Sequence, residues 1–92
     1  MNLLDLVGFV KRGKNRYRIF IMLDKPSMPS ELTKKVYGKN SNTYFNIVSR
    51  SLSELKKKGL VEVANPKERT GRIYQKTELG KQLEHKLKEL EG

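Results

Sequence analysis

Hydrophobic residues recur at helical spacing along most of this chain. Apolar side chains occupy several sides of the segment 3–10, which predicts a buried first helix within residues 1–11. A second apolar stretch covers residues 16–23 and predicts a helix through the core, with a strand as the alternative because of its β-branched residues. The basic residues 11–15 between these stretches predict a loop.

Two helices joined by a short turn are predicted in the middle of the chain. The first spans about residues 28–37 and ends at Gly38, which supplies a left-handed stop. The second runs from about residue 41 to residue 58 and ends at Gly59. Because so few residues connect them, the pair predicts a helix-turn-helix. The expected N-caps are Ser27 for the first helix and Ser41 or Asn42 for the second.

The last third of the chain predicts a β-hairpin followed by a closing helix. Residues 60–64 and 72–76 have the composition of strands, and the segment between them contains Pro, Gly and Asn. We call residues 65–72 the hairpin loop, which is net basic and is expected to project. Thr77 then caps a helix that runs to about residue 90. Leucines recur along one face of this helix at Leu79, Leu83, Leu87 and Leu90.

Length and charge narrow the possible functions. The 92 residues form one domain, because chains usually divide only beyond about 250 residues. It comprises an N-terminal helix (1–11), a core (14–76) and a C-terminal helix (77–91). The formal net charge is +10, so a polyanion is the natural partner. Residues 1–77 carry 17 basic and 6 acidic side chains (net +11), whereas residues 78–92 carry 3 and 4 (net −1).

Composition also excludes several classes of protein. The chain has no cysteine and one histidine, which excludes disulfides, zinc fingers, thiol catalysis and Cys/His metal clusters. We therefore expect no metal and no cofactor. No apolar run approaches the about 20 residues of a membrane span, and residues 1–10 lack the features of a secretion signal. These features predict a cytoplasmic protein without a membrane partner.

The helix predicted at residues 41–58 has two chemically different faces. At about 100° per residue, a sector about 80° wide is expected to face the core. That sector holds Phe45, Val48, Leu52, Leu55 and Gly59. Opposite it lie hydrogen-bonding and basic side chains without an acid, which we call the outward face: Thr43, Asn46, Arg50, Ser53 and Lys57. Arg can donate twice to guanine, Asn can pair with adenine, and the Thr methyl can contact a thymine methyl. A solvated helix face is the alternative, but such faces usually mix Glu with Lys.

The predicted order of helix, helix-turn-helix, basic hairpin and closing helix resembles that of the winged helix-turn-helix regulators of the MarR and ArsR kind. The resemblance covers about residues 14–82 and rests on four sequence stretches. They are Arg16-Tyr17-Arg18-Ile19, Pro29-Ser30-Glu31-Leu32, residues 48–61, and Tyr74-Gln75-Lys76-Thr77-Glu78-Leu79-Gly80, of which the third is the most specific. The resemblance implies an α+β, mostly α fold in which the two predicted strands form a two-stranded β wing with the hairpin loop at its tip. It also implies a homodimer whose recognition helices enter successive major grooves, while the wings touch the backbone or minor groove.

The resemblance also implies which side chains contact DNA. Base or phosphate contacts are expected from Thr43, Asn46, Ser49 and Arg50, and wing contacts from Lys67, Arg69 and Arg72. The other polar residues of the same helix complete the predicted set: Ser41, Asn42, Ser53 and Lys57. Charged loops also serve solubility, which is the alternative for the hairpin loop. Five basic residues within 11–18 either flank the duplex or solvate a helix start.

The terminal helices add apolar surface beyond what a winged core needs. The closing leucines usually indicate core packing, but the stripe runs past the end of such a core. We expect both ends of the chain to build a homodimer interface. Its predicted members are Leu3, Leu4, Leu6, Val7, Val10, Leu79, Leu83, Leu87 and Leu90.

One pattern favours an enzyme but fails on its context. Residues 8–15 match the spacing of a phosphate-binding loop, with Asn15 where Ser or Thr should hold magnesium. No strand is predicted before it, and the chain is short for a nucleotide-hydrolysing domain. His85 lies in a charged helix and is expected to be a surface residue.

We therefore predict a non-enzymatic, homodimeric transcriptional regulator that binds double-stranded DNA sequence-specifically. The alternatives are a winged-helix protein-interaction adaptor and an RNA-binding module.

Overall fold

The computed structural model of the protein describes residues 2–91. Over these residues the chain has a mostly helical α+β fold of five helices and a two-stranded antiparallel sheet, compatible with a winged helix. The helices are α1 (Leu3–Arg12), α2 (Lys14–Met22), α3 (Pro29–Tyr37), α4 (Asn42–Lys57) and α5 (Glu78–Glu91), and the strands are β1 (Val61–Val63) and β2 (Tyr74–Lys76). In this part of the chain, no helix is both long and apolar enough to cross a lipid bilayer.

Gly13 alone separates the first two helices. The loop predicted over residues 11–15 is therefore wrong. Lys11 and Arg12 complete the last turn of α1, where basic side chains interact favourably with the helix dipole. The helix predicted for residues 16–23 is confirmed over the strand alternative, and it begins two residues earlier than the apolar pattern indicates.

The N-terminus of α3 is set by a long-range contact. Met28 occupies the N-cap position, and its N–H donates to the Glu31 carboxylate at 2.8 Å. The predicted cap, Ser27, instead pairs its backbone with Tyr74 in an antiparallel bridge, through hydrogen bonds of 3.0 and 2.8 Å. The assignment of Ser27 as the cap is wrong because this pairing places it outside the helix. The bridge ties the start of α3 to β2.

The other helix boundaries follow the predicted local signals. Gly38 ends α3 with a φ of 80°, and Gly59 follows α4 with a φ of 76°. The Ser41 hydroxyl accepts a hydrogen bond from the Tyr44 N–H at 3.2 Å and so caps α4. The Thr77 hydroxyl accepts a backbone N–H of the first turn of α5 at 3.0 Å. These caps and stops place α4 directly after the turn that follows α3.

The two strands are shorter than predicted. They pair in antiparallel register from Val61 opposite Lys76. At the far end, the Asn65 side chain accepts the Ile73 N–H at 2.7 Å and donates to the Gly71 carbonyl at 3.1 Å. Because this side chain takes the place of a ladder partner, the regular strands stop and the hairpin loop begins.

A single core cluster is centred on α2, whose Ile19 and Phe20 are fully buried. The inward side of α4 contributes Val48, Leu52 and Leu55, as predicted. Two other residues expected on that inward sector are not buried: Phe45 is 40% exposed, and Gly59 is exposed. The core covers α4 from Val48 onward, and Phe45 lies one turn before that cover.

Both terminal helices pack on the same core within one chain. Five residues predicted to form the dimer interface are buried there: Leu6, Val7, Val10, Leu83 and Leu87. In a single chain these five side chains pack on the core, and an amphipathic pattern does not tell such burial from burial against a second copy. Leu3 and Leu79 are partly buried against the core, whereas Leu4 (63%) and Leu90 (53%) are exposed.

Candidate nucleic-acid interface

The outward face of α4 is open to solvent along its whole length. Every member is exposed: Thr43, Asn46, Arg50, Ser53 and Lys57. Asn42 is also exposed, whereas Ser41 and Ser49 are half-buried. Within residues 2–91, neither Asn46 nor Arg50 is engaged by another side chain through a hydrogen bond or ion pair. Their donors and acceptors are therefore available to a ligand.

The acidic side chain of α4 is offset by a cation from α2. Glu54 lies beside the outward face and accepts a hydrogen bond from Arg16 at 3.2 Å. Arg16 also lies over the Phe9 ring, 3.9 Å from its centroid, and its Nε donates to the Phe9 carbonyl at 3.0 Å. These contacts hold α1, α2 and α4 together and leave the surface of α4 without an uncompensated negative charge.

Two of the five basic residues within 11–18 therefore serve the fold. Arg16 makes the contacts just described, and Arg18 donates to the Val36 carbonyl at 3.1 Å. Lys11 lies 3.7 Å from the Glu91 carboxylate in an exposed pair, which contributes little to stability. Arg12 and Lys14 are exposed and remain available for phosphate contacts.

Aromatic contacts fix the turn that leads into α4. The Tyr37 ring, at the end of α3, stacks on the Tyr44 ring in the first turn of α4. The Tyr37 hydroxyl donates to Asn15 Oδ1 on α2 at 2.9 Å. A tyrosine hydroxyl is protonated at neutral pH and can donate, and burial raises the pKa of Tyr37 further. The first turn of α4 is thus held against both α3 and α2.

The hairpin loop presents its basic side chains unequally. Lys67 and Arg69 are exposed, as expected for phosphate contacts. Arg72 is half-buried, and its Nε donates to the Glu68 carbonyl at 3.1 Å. Arg72 therefore closes the loop on itself, although the rest of its guanidinium can still meet a phosphate.

A groove of about 410 Å³ separates the hairpin loop from the helix pair. It is lined by the start of α3, the first turn of α4, the hairpin loop and the start of β2. Its walls carry Met28, Pro29, Phe45, Arg69, Arg72 and Tyr74. Of the predicted contacts, Arg69 and Arg72 of the hairpin loop line this groove, and α4 contributes Phe45, which is not among them.

Phe45 is the residue of α4 in this groove, and the spacing of apolar residues does not predict its exposure. The helical pattern assigned it to the core because it is apolar and lies near Val48 in angle. Its position near the start of α4, next to Asn46, is the signal in the sequence that points to this exposure.

The structure also gives the positions of the other residues that the sequence singled out. Residues 8–12 of the phosphate-loop pattern belong to α1, so they form no loop that could cradle a phosphate. Within residues 2–91, no three His, Cys, Asp or Glu side chains are grouped as metal ligands. His85 is 79% exposed, and its Nε2 lies 3.1 Å from Glu89, which confirms a surface position.

Comparison of the chain with family models finds no match, and comparisons with curated proteins and with solved structures find none either.

Proposed function

We propose that the protein is a winged helix-turn-helix transcriptional regulator that binds double-stranded DNA sequence-specifically as a homodimer. In this proposal α4 is the recognition helix and lies in the major groove. The hairpin loop is the wing and contacts the backbone or the minor groove nearby.

One observation carries the proposal. The outward face of α4 is polar, basic and fully exposed, and Phe45 of the same helix shares a groove with Arg69 and Arg72 of the hairpin loop. The net charge of +10 favours a polyanion over a neutral or acidic partner. Arg and Lys at phosphates would supply most of the affinity, whereas Asn46 and Arg50 would supply sequence preference.

The homodimer rests on apolar surface that the chain leaves uncovered. Leu4 on α1 and Leu90 on α5 are exposed, and Leu3 and Leu79 are only partly buried. In this proposal these four side chains pack against a second copy. A two-fold dimer would then present two copies of α4 to a pseudo-palindromic site.

The proposal is tested by selecting duplexes from a random-sequence library and measuring affinity by fluorescence anisotropy. We expect a recovered site that is bound at about 0.15 M salt in the presence of competitor DNA. If a dimer neutralises about 6 to 10 phosphates, log affinity should fall with log salt at a slope of about −5 to −9. Weak, fully competed binding would instead indicate the adaptor function. Preference for structured RNA over duplex DNA would indicate the RNA-binding function.

A further inference from the structure

Phe45 presents apolar surface on a helix whose other exposed side chains are polar or charged. It is 40% exposed, whereas Val48, Leu52 and Leu55 of the same helix are buried. Isolated exposed hydrophobic residues are common and need no explanation by themselves. Phe45 differs because it also lines the groove between α4 and the hairpin loop, together with Arg69 and Arg72.

The neighbours of Phe45 place it among the predicted base contacts. Asn42, Phe45 and Ser49 lie three and four residues apart, so they follow one edge of α4, and Phe45 on that edge lines the groove. Asn46 is the next residue along the chain and lies on the outward face. A duplex seated on that face would bring base edges to Phe45 as well.

The chemistry of the major groove offers a phenyl ring one matching group. Each base edge there presents hydrogen-bond donors, acceptors or both. Thymine carries a 5-methyl group in addition. A phenyl ring cannot satisfy donors or acceptors, so polar edges packed against it would lose hydrogen bonds. The two arginines that also line it select a polyanion over an apolar partner for the groove beside Phe45.

We propose that Phe45 is a specificity residue that packs against the 5-methyl group of a thymine in the major groove. This inference rests on the proposed function, because it places a duplex on the outward face of α4. Asn42 and Asn46 can pair with adenine. The contacted thymine should therefore be flanked by further A·T pairs in the site.

The test uses the tightest duplex recovered from a random-sequence library and replaces its thymines with deoxyuridine, one at a time. This replacement removes the methyl group and keeps every hydrogen-bonding atom. We expect the wild type to lose affinity about threefold to fivefold at one thymine in each half-site, the effect of burying one methyl group. Phe45→Ala should bind the thymine duplex more weakly and should show no difference between thymine and deoxyuridine at that position.

The matched control is Phe45→Leu, which keeps an apolar side chain and should retain part of the methyl preference. Because Phe45 is partly exposed, we expect Phe45→Ala to fold, and its urea unfolding curve checks this. Specific binding by the wild type with no sensitivity to any thymine methyl would overturn this inference and leave the proposed function standing. The inference would also be overturned if Phe45→Ala kept the full loss of affinity on replacing thymine with deoxyuridine. It would likewise be overturned if the defect of this variant were loss of self-association. Failure of the wild type to prefer any duplex would overturn both.

Discussion

The rings of Tyr37 and Tyr44 stack face to face across the turn between α3 and α4, with centroids 4.5 Å apart and ring planes 5° apart. Tyr37 is the last residue of α3, and Tyr44 lies in the first turn of α4. Together with the hydrogen bond from Tyr37 to Asn15, the stack fixes where α4 begins relative to α2 and α3. It therefore positions the end of α4 that carries Asn42, Phe45 and Asn46.

Replacement of Tyr44 with Ala should lower the free energy of unfolding by about 1 to 2 kcal/mol, since it removes the stack and leaves one face of Tyr37 uncovered. Tyr44→Phe keeps the stack and should stay close to the wild type. Urea unfolding followed by circular dichroism measures both variants. If the Ala variant is as stable as the Phe variant, the stack does not stabilise the turn.

Two helical glycines should respond to Ala in opposite directions. A Cβ at Gly80 would lie 2.1 Å from the Leu60 carbonyl oxygen, so α5 must shift away from the segment that enters β1. We expect Gly80→Ala to lower the free energy of unfolding by about 1 to 3 kcal/mol. A Cβ at Gly8 would meet nothing within 4 Å, so Gly8→Ala should raise stability by about 0.5 to 1 kcal/mol through helix propensity.

Thermal or urea unfolding of the two glycine variants provides the comparison, with each serving as the control for the other. A Gly80→Ala variant as stable as the wild type would contradict the close approach of α5 to Leu60, and a destabilised Gly8→Ala variant would contradict the open space at Gly8.

The elements that local signals determine were predicted correctly. Gly38, Ser41 and Thr77 act on backbone groups within four residues, so the sequence around them is sufficient to place the boundaries of α3, α4 and α5. The inward side of α4 was likewise readable from the spacing of its apolar residues. The exposure of Asn46 and Arg50 follows from that spacing.

The errors arise where distant parts of the chain decide the outcome. Ser27 has the side chain of a good N-cap, but its backbone pairs with Tyr74 in an antiparallel bridge. Phe45 looks like a core residue, but the cover over α4 starts at Val48. Leu83, like the other buried positions of the terminal helices, has the same pattern whether its partner belongs to the same chain or to another. Only the folded chain shows which contact is made.

Lys76 should give the stability of the protein a measurable dependence on alkaline pH. Its side chain is 5% exposed, and Nζ lies 3.0 Å from Glu84 and 4.7 Å from the centroid of the Phe20 ring. Burial lowers the pKa of Lys76 below 10.5, although the carboxylate of Glu84 opposes this shift. Because the unfolded chain then binds the proton more tightly, stability rises as pH increases from the lowered pKa towards 10.5.

The measurement compares the wild type with Lys76→Met by urea unfolding at several pH values above 7. We expect the free energy of unfolding of the wild type, minus that of the variant, to increase towards pH 10.5. Tyr17 and Tyr37, whose pKa values are raised, are present in both proteins, so their titration cancels. Lys76→Arg cannot deprotonate in this range and should show no such increase. If the difference in free energy of unfolding between the wild type and Lys76→Met stays flat or falls as pH rises, burial does not determine the pKa of Lys76.

Self-association should depend on the exposed leucines of the terminal helices. Leu4→Gln combined with Leu90→Gln removes apolar surface without touching the buried residues of α1 and α5. In the proposed homodimer, we expect the wild type to sediment as a dimer and this double variant to remain folded and to sediment as a monomer. Lys88→Gln, an exposed change on the same helix, should leave the dimer intact. If the double variant stays dimeric, the second copy is held elsewhere.

Arg50 and Lys67 should affect DNA binding in different ways. Arg50 lies on the outward face of α4, where a bidentate contact with guanine is possible, so Arg50→Ala should cost about 1 to 3 kcal/mol and relax preference at one base pair. Lys67 lies on the hairpin loop, and Lys67→Ala should weaken binding to all duplexes alike and reduce the salt slope by about 1.

Anisotropy titrations against the selected site and a scrambled duplex, at three salt concentrations, separate the two effects. Lys81→Ala removes the same charge from α5 and provides the control. If Arg50→Ala weakens the selected and scrambled duplexes equally, Arg50 positions the protein on the backbone and another residue of α4 reads the sequence.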